Sequence, residues 1–348
     1  MKKASVDSYP PPPLEKIEEV LQKKDLSLQW LAGDGSDRCY YRIHQNTTEH
    51  TWVLMQLSDL DAKDLQNNGY DWINIGKIIQ HKIRIPKLIA ALPDYAALII
   101  EDYGDTMMET VALDYIQNHK YSDLDNLYDK AFSIISQMCL FKEKPDEPWC
   151  QRAFDKGRYV WELNFFIQNF VEPVCRTELS SDQFQKFRSD VDNLGEYLGS
   201  MAQYFVHRDF HSRNIMIKNK ELAVIDFQDA RLGPPAYDLV SICFDSYLPL
   251  DQSQRIGYLE EGLRHLGDIS PAIGREAQLS WKATLLQRQL KALGSFGYLT
   301  IKKNRGNYLK YVAPAIASIS NNLVGDERWP FLSVDLIEIL NEKSKEFY

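Results

Sequence analysis

Apolar residues recur at helical spacing over residues 14–24, where Leu14, Ile17, Val20 and Leu21 fall on one side. The four prolines at 10–13 stop that helix from extending backwards. Strand-type segments follow at 28–31, 39–44 and 51–57. The turn formers Gly33-Asp34-Gly35-Ser36 and the polar stretch 46–49 separate them. Residues 63–81 read as a helix with Leu65, Trp72, Ile75, Ile78 and Ile79 as the buried stripe. Segments 87–92 and 96–101 flank Pro93-Asp94 and predict a hairpin. The first hundred residues thus read as five strands with one helix inserted. After Asp102 the period changes. Residues 123–142, 154–172, 182–204, 235–248, 252–266, 274–299 and 307–324 carry helical spacing around one β-type island, 205–226.

This order predicts an α+β chain: a small β-rich N-terminal lobe, 1–102, with a flexible tail at 1–13, and a large, mostly helical C-terminal lobe, 103–348, with a cleft at the join. A length of 348 residues suits such a bilobal arrangement. The net charge of −9 argues against non-specific nucleic-acid binding, which needs a basic surface. No run approaches the roughly 20 apolar residues of a membrane span, and residues 1–13 lack the apolar core of a secretory signal. Five scattered cysteines without a C-x-x-C pair predict neither a disulfide framework nor a structural zinc site, and point to a cytoplasmic location.

The island carries the chemistry. Asp209 and Asn214 lie five residues apart on a polar stretch between two apolar edges. Asp226 ends the apolar strand 223–225, which is expected to hairpin beside 215–217. Two carboxylates and an amide oxygen suit a hard divalent ion such as Mg²⁺, which takes oxygen ligands together with phosphate oxygens. Phosphoryl transfer needs little more from a protein than positioning and charge neutralisation.

The string His207-Arg208-Asp209-Phe210-His211-Ser212-Arg213-Asn214, followed by Ile225-Asp226-Phe227 and by Gly233-Pro234-Pro235-Ala236-Tyr237-Asp238-Leu239, resembles the aminoglycoside-phosphotransferase and choline-kinase branch of the protein-kinase-like fold. Within that branch, Phe227-Gln228-Asp229-Ala230, the segment from Leu286 to Gly294 and the stretch from Gly33 to Arg42 are most similar to the bacterial anomeric N-acetylmuramate/N-acetylglucosamine kinases. The resemblance covers roughly residues 28–320. It implies ATP as donor, Mg²⁺ as cofactor, a small-molecule amino sugar as acceptor and a place in peptidoglycan recycling. It implies Asp209, with His207 beside it, as the catalytic pair, Asn214 and Asp226 as metal ligands, and Asp238 as a brace for the loop. Aminoglycoside or choline-type acceptors are the alternative, as is a pseudokinase that binds nucleotide without transfer.

For the nucleotide, Gly33, Gly35 and Ser36 form half of a glycine-rich loop whose amides can approach phosphates. Arg38 adds a cation, and Ile100, Glu101 and Tyr103 are expected at the adenine. The strand 52–57 departs from the broader family by placing Met55 where a Lys is usual, so Arg38, Arg42 or a second Mg²⁺ must neutralise the phosphates. For the acceptor, His211, Arg213, Asp245, Arg288 and Lys291 are the expected contacts. Arg288 and Lys291 are three apart, share a helix face and suit a carboxylate. The oligomeric state is not legible.

Overall fold

The alternation at 26–57 folds into strands because one side of each segment is apolar and finds a common core. The computed structural model describes residues 10–33 and 38–345. In chain order it contains helix α1 (Leu14–Leu21), strands β1 (Leu26–Gly33), β2 (Cys39–Gln45) and β3 (Thr51–Gln56), helices α2 (Asp59–Gln66) and α3 (Asp71–Ile79), and strands β4 (Leu88–Leu92) and β5 (Ala97–Glu101). Helices α4 (Met108–Gln117), α5 (Tyr121–Cys139), α6 (Lys156–Phe166) and α7 (Ser181–Gly199) come next. Four short strands then follow: β6 (Tyr204–Val206), β7 (Ile215–Lys218), β8 (Glu221–Val224) and β9 (Arg231–Gly233). The chain closes with α8 (Tyr237–Cys243), α9 (Gln252–Ile269), α10 (Pro271–Ile301), α11 (Val312–Leu323) and α12 (Leu336–Ser344).

The chain packs as two units, Met1–Thr106 with Met216–Gln228, and Met107–Ile215 with Asp229–Tyr348. The first holds an antiparallel sheet of order β1-β2-β3-β5-β4. Ile17 of α1 is fully buried against Leu26, Ile43, Leu54, Leu92 and Ile99, so the amphipathic helix covers one face of the sheet. The expected β4–β5 hairpin is present, closed by a short 3₁₀ turn at Pro93–Tyr95. The expected single helix over 63–81 is instead two, α2 and α3. Asn68 adopts a left-handed φ of 59°, and Asn67-Asn68-Gly69 end the first helix before Asp71 opens the second. The apolar stripe ran across that break because Leu65 and Trp72 are seven apart, which matches two helical turns. On α3, Trp72 packs on Phe227 with ring centroids 5.3 Å apart, and Phe227 also lies against Gly76.

The second unit is helical and built around α10, most of whose middle is buried. Gly297 is required there: a Cβ would stand 2.0 Å from the carbonyl oxygen of Asn169, so α10 lies directly on the backbone of the π-turn Ile167–Val171. The island folds as β6, a loop and the expected hairpin of β7 and β8, and β6 also pairs with β9, which the apolar pattern did not suggest. The helix expected to 204 stops at Gly199, and that expected over 235–248 is shorter, Tyr237–Cys243. Helices α4 and α12 were not anticipated. All five cysteines are free, and among the described residues no helix is long and apolar enough to cross a membrane.

Candidate active site

The loop after β6 is shaped by buried carboxylates at its two ends. The backbone N–H of His207 donates to Asp238 Oδ2 at 2.6 Å and that of Arg208 donates to Oδ1 at 3.0 Å. Arg208 has φ of 82°, unusual for a side-chain-bearing residue, and the two Asp238 bonds hold it there. Asp238 sits in the first turn of α8, and burial pushes its carboxyl up to about 6 against the pull of His207 and these N–H groups. Seven residues on, Asp245 Oδ2 accepts from the Ser212 backbone N–H at 2.9 Å and from its hydroxyl at 2.5 Å. The turn carrying Asp245 is locked in its turn by Arg255, whose guanidinium donates to the carbonyls of Cys243, Asp245, Leu248 and Leu250. Nothing in the spacing of Arg255 or Glu162 marked them beforehand. Glu162, 1 % exposed, accepts from Arg158, Arg208 and Gln287 and so fixes the Arg208 side chain.

Between these clamps stands Asp209. Its Oδ1 lies 2.6 Å from Lys291 Nζ and 3.5 Å from Arg288 Nη2, both on α10. Burial alone would push this carboxyl up, but Lys291, Arg208 and Arg288 outweigh it and hold it well below the usual range. Burial in turn brings Lys291 down to about 8. Arg288 and Lys291 therefore do share a face, as their spacing implied, and in this structure that face meets Asp209. Asn214 closes a 3₁₀ turn, Ser212–Asn214, and its Nδ2 donates to the Asp209 carbonyl at 2.9 Å, so that its Oδ1 is the side chain's acceptor atom.

Two of the expected acceptor residues are engaged elsewhere. Asp245 holds the loop, as described. Arg213 makes a fork on Glu109 at 2.6 and 2.9 Å, reaches the Tyr311 hydroxyl at 2.5 Å and lies 3.8 Å over the Tyr247 ring. His211 packs edge-on to Tyr247, with ring centroids 5.3 Å apart, and its Nδ1 has no hydrogen-bond partner. Burial pushes its ring down to about 4. His211 thus stays neutral when folded, while in the unfolded chain it takes up a proton near pH 6.5. Stability present above pH 6.5 is then lost as pH falls from 6.5 towards 4. Thermal melts across that window should drop, and His211→Asn should flatten part of the slope; an identical slope in the variant would exclude His211 as its source.

In the first unit, Asp226 follows β8 with a left-handed φ of 62°. Its neighbour Phe227 is fully buried against α3, which anchors the turn that presents the carboxylate. Gln228 Nε2 donates to Asp226 Oδ1 at 2.7 Å, and Arg38 Nη1 stands 3.8 Å from the same oxygen. Arg38 also donates through Nε to Asp61 of α2 at 2.7 Å. Asp61 was missed in the sequence because it lies on the short α2, outside the helix expected to face the strand. Met55 is buried in β3 opposite Tyr40 and Leu98. Arg42 is committed to Asp102 and Asp105, at 2.6 and 2.9 Å. Ile100 and Glu101 lie in β5; Tyr103, just beyond, is buried, and its hydroxyl accepts from Arg84 at 2.6 Å. Gly33 ends β1, whereas Gly35 and Ser36 lie outside the described residues.

Residues 31–275 match the model of the Phosphotransferase enzyme family. The chain is 25 % identical over 331 residues to the N-acetylmuramate/N-acetylglucosamine kinase of Neisseria meningitidis serogroup B, covering 89 % of this chain and 95 % of that one. It is 24 % identical to the enzyme of the same name from Pseudomonas putida, covering 86 % and 84 %. Its fold is similar to that of the aminoglycoside phosphotransferase APH(2'')-Ib, with a TM-score of 0.59 at 16 % identity over 88 % of this chain and 96 % of that one. It is also similar to the choline kinase LicA from Streptococcus pneumoniae, with a TM-score of 0.55 at 14 % identity over 87 % and 99 %. The expected α+β, protein-kinase-like fold class holds.

Proposed function

Because the chain belongs to the phosphotransferase enzyme family, we propose that it transfers the γ-phosphoryl group of ATP to the anomeric C1 hydroxyl of an amino sugar, N-acetylmuramate or N-acetylglucosamine. The observation that carries the transfer is the loop from His207 to Asn214, with Asp209 held between the Asp238 and Asp245 clamps. The names of relatives that align over most of the chain favour the acceptor.

Asn214 and Asp226 flank the β7–β8 hairpin in the chain, and on that pattern they are the proposed metal ligands. Their donors are an amide oxygen and a carboxylate, and the Asp226 side chain is 40 % exposed, so the set fits a hard divalent cation, Mg²⁺. When bound, such an ion neutralises phosphate oxygens and orients them. Arg38, held by Asp61, is the proposed stand-in for the strand-three Lys and favours the nucleotide phosphates by its charge. Ile100, Glu101 and Tyr103 are proposed at the adenine, and Gly33, Gly35 and Ser36 at the phosphates.

The Asp209 carboxylate orients the acceptor hydroxyl. The hydroxyl oxygen forms a bond to the γ-phosphorus as the bond from phosphorus to the ADP oxygen breaks. The hydroxyl proton passes to Asp209, and sugar 1-phosphate and ADP leave. An anomeric hydroxyl is more acidic than other sugar hydroxyls, so a carboxylate of low basicity suffices. His207 keeps the loop in register through its backbone bond to Asp238.

The reading is tested with purified protein, ATP, Mg²⁺ and a panel of N-acetylmuramate, N-acetylglucosamine, kanamycin and choline. Turnover is expected with the sugars, and phosphorus NMR should show a sugar 1-phosphate. Turnover with kanamycin or choline alone, or ATP binding with transfer to no acceptor, would overturn it.

A further inference from the structure

We infer that Lys291 and Arg288 restrain Asp209 until a negatively charged acceptor draws them away, so that the acceptor's own charge makes the base available. This rests on the function proposed above and concerns how the same site is regulated.

Three observations carry it. The first is that Lys291 and Arg288 converge on one oxygen, Asp209 Oδ1, at 2.6 and 3.5 Å. A charge-assisted bond to Lys291 competes with an acceptor hydroxyl for that oxygen and lowers the basicity of the whole carboxylate. The second is the charge balance. Two cations face one carboxylate, and all three are largely buried, with side-chain exposures of 10 %, 12 % and 24 %. Of the nearby carboxylates, Glu162 pairs with Arg158 and Arg208, and Asp229 with Arg208 and Arg231, while Asp245 accepts from the N–H groups of Ser212 and Tyr247 and acts on Arg288 through its charge. Arg288 and Lys291 thus share Asp209 as an ion-pair partner, and an anion from a ligand would be favourable beside them. The third is the pair of unmet polar atoms. Arg288 is 8 % exposed and its Nε–H has no hydrogen-bond partner, and the Nδ1 of His211, in the same loop as Asp209, has none either.

Together these describe a site able to take an anion beside the base. An acceptor carrying a carboxylate supplies one. The carboxylate pairs with Arg288 and Lys291, their hold on Oδ1 is released, and the oxygen is free to take the acceptor hydroxyl. A neutral sugar must displace Lys291 without offering a substitute charge. Without any acceptor, the base stays engaged, which limits hydrolysis of ATP by water.

The test compares wild type, Lys291→Met and Lys291→Arg with N-acetylmuramate, N-acetylglucosamine and no acceptor. Met should raise acceptor-free ATP hydrolysis several-fold. It should also move the ratio of kcat/KM towards the neutral sugar by roughly 10- to 100-fold, through KM for the anionic sugar, as expected on losing a charged hydrogen bond. Arg should restore both properties towards wild type. If Met lowers all three rates in proportion, or leaves both the hydrolysis and the ratio where they were, Lys291 merely supports the fold and the inference is wrong. Failure of wild type to phosphorylate either sugar would instead sink the proposed function, and the acceptor-free rate would still report on restraint. Circular dichroism melts of each variant separate unfolding from these effects.

Discussion

Replacing Asp209 by Asn will lower kcat by about 10²–10⁴-fold, the usual contribution of a positioned proton acceptor. The amide keeps the shape of the side chain and can still accept a bond at Oδ1, so the loss reports the charge and the proton affinity. The substitution has a second consequence that must be separated from the first. Lys291 and Arg288 would then be buried beside a neutral group. Breaking a buried ion pair from one side costs about 3–5 kcal/mol. Asp209→Asn should therefore also melt earlier. The double variant Asp209→Asn, Lys291→Met removes the stranded ammonium and should recover much of that stability while remaining inactive. Binding of a non-hydrolysable ATP analogue, followed by calorimetry, should change little in either variant. A stable Asp209→Asn protein with near wild-type turnover would remove Asp209 from the chemistry altogether.

The second large effect is expected at Asp238. Its carboxylate accepts from the backbone N–H groups of both His207 and Arg208, and it is 2 % exposed. Asp238→Ala strands two donors in the interior, at about 1–3 kcal/mol each. It also removes what keeps Arg208 at φ of 82°, so the loop is free to relax towards a commoner conformation. Stability and kcat should fall together, the latter by at least tenfold when assayed well below the melting temperature. Asp238→Asn retains one acceptor oxygen and should lie between wild type and Ala on both measures. If Asp238→Ala keeps full kcat at low temperature, the brace contributes to folding alone and the loop geometry is set by something else.

Much of the site was legible in the chain because its chemistry is local. Asp209 and Asn214 are five residues apart on one loop, and the hairpin that follows ends two residues before Asp226. Short spacings of this kind survive folding, so the loop and the metal candidates could be named from order, and Asp238 from the resemblance that the same local motifs carry. The same holds for the strand-rich start, where five of five expected strands pair in one sheet. Where the reading failed, either a local breaker outweighed the apolar stripe or the deciding interaction was distant in sequence. The helix over 63–81 broke because asparagines and a glycine terminate a helix whatever apolar stripe runs past them. Helix α4 escaped notice, yet its Glu109 meets Arg213 across more than a hundred residues.

The assignments of Asp245, Arg213, Arg288 and Lys291 show the limit most clearly. Helical spacing put Arg288 and Lys291 on one face, and they do lie on one, whereas Arg213 lies on the loop and Asp245, expected on the same helix as Asp238, falls just beyond the end of α8. Which charge meets which is decided only when α8, α10 and the loop pack. Burial removes water as the default partner, so every ionised group must find another, and the partner it finds is set by helix placement. Gly297, lying on the backbone at Asn169, fixes where α10 sits. That close approach sets which face of α10 meets Asp209, and no local pattern of apolar and polar residues encodes it.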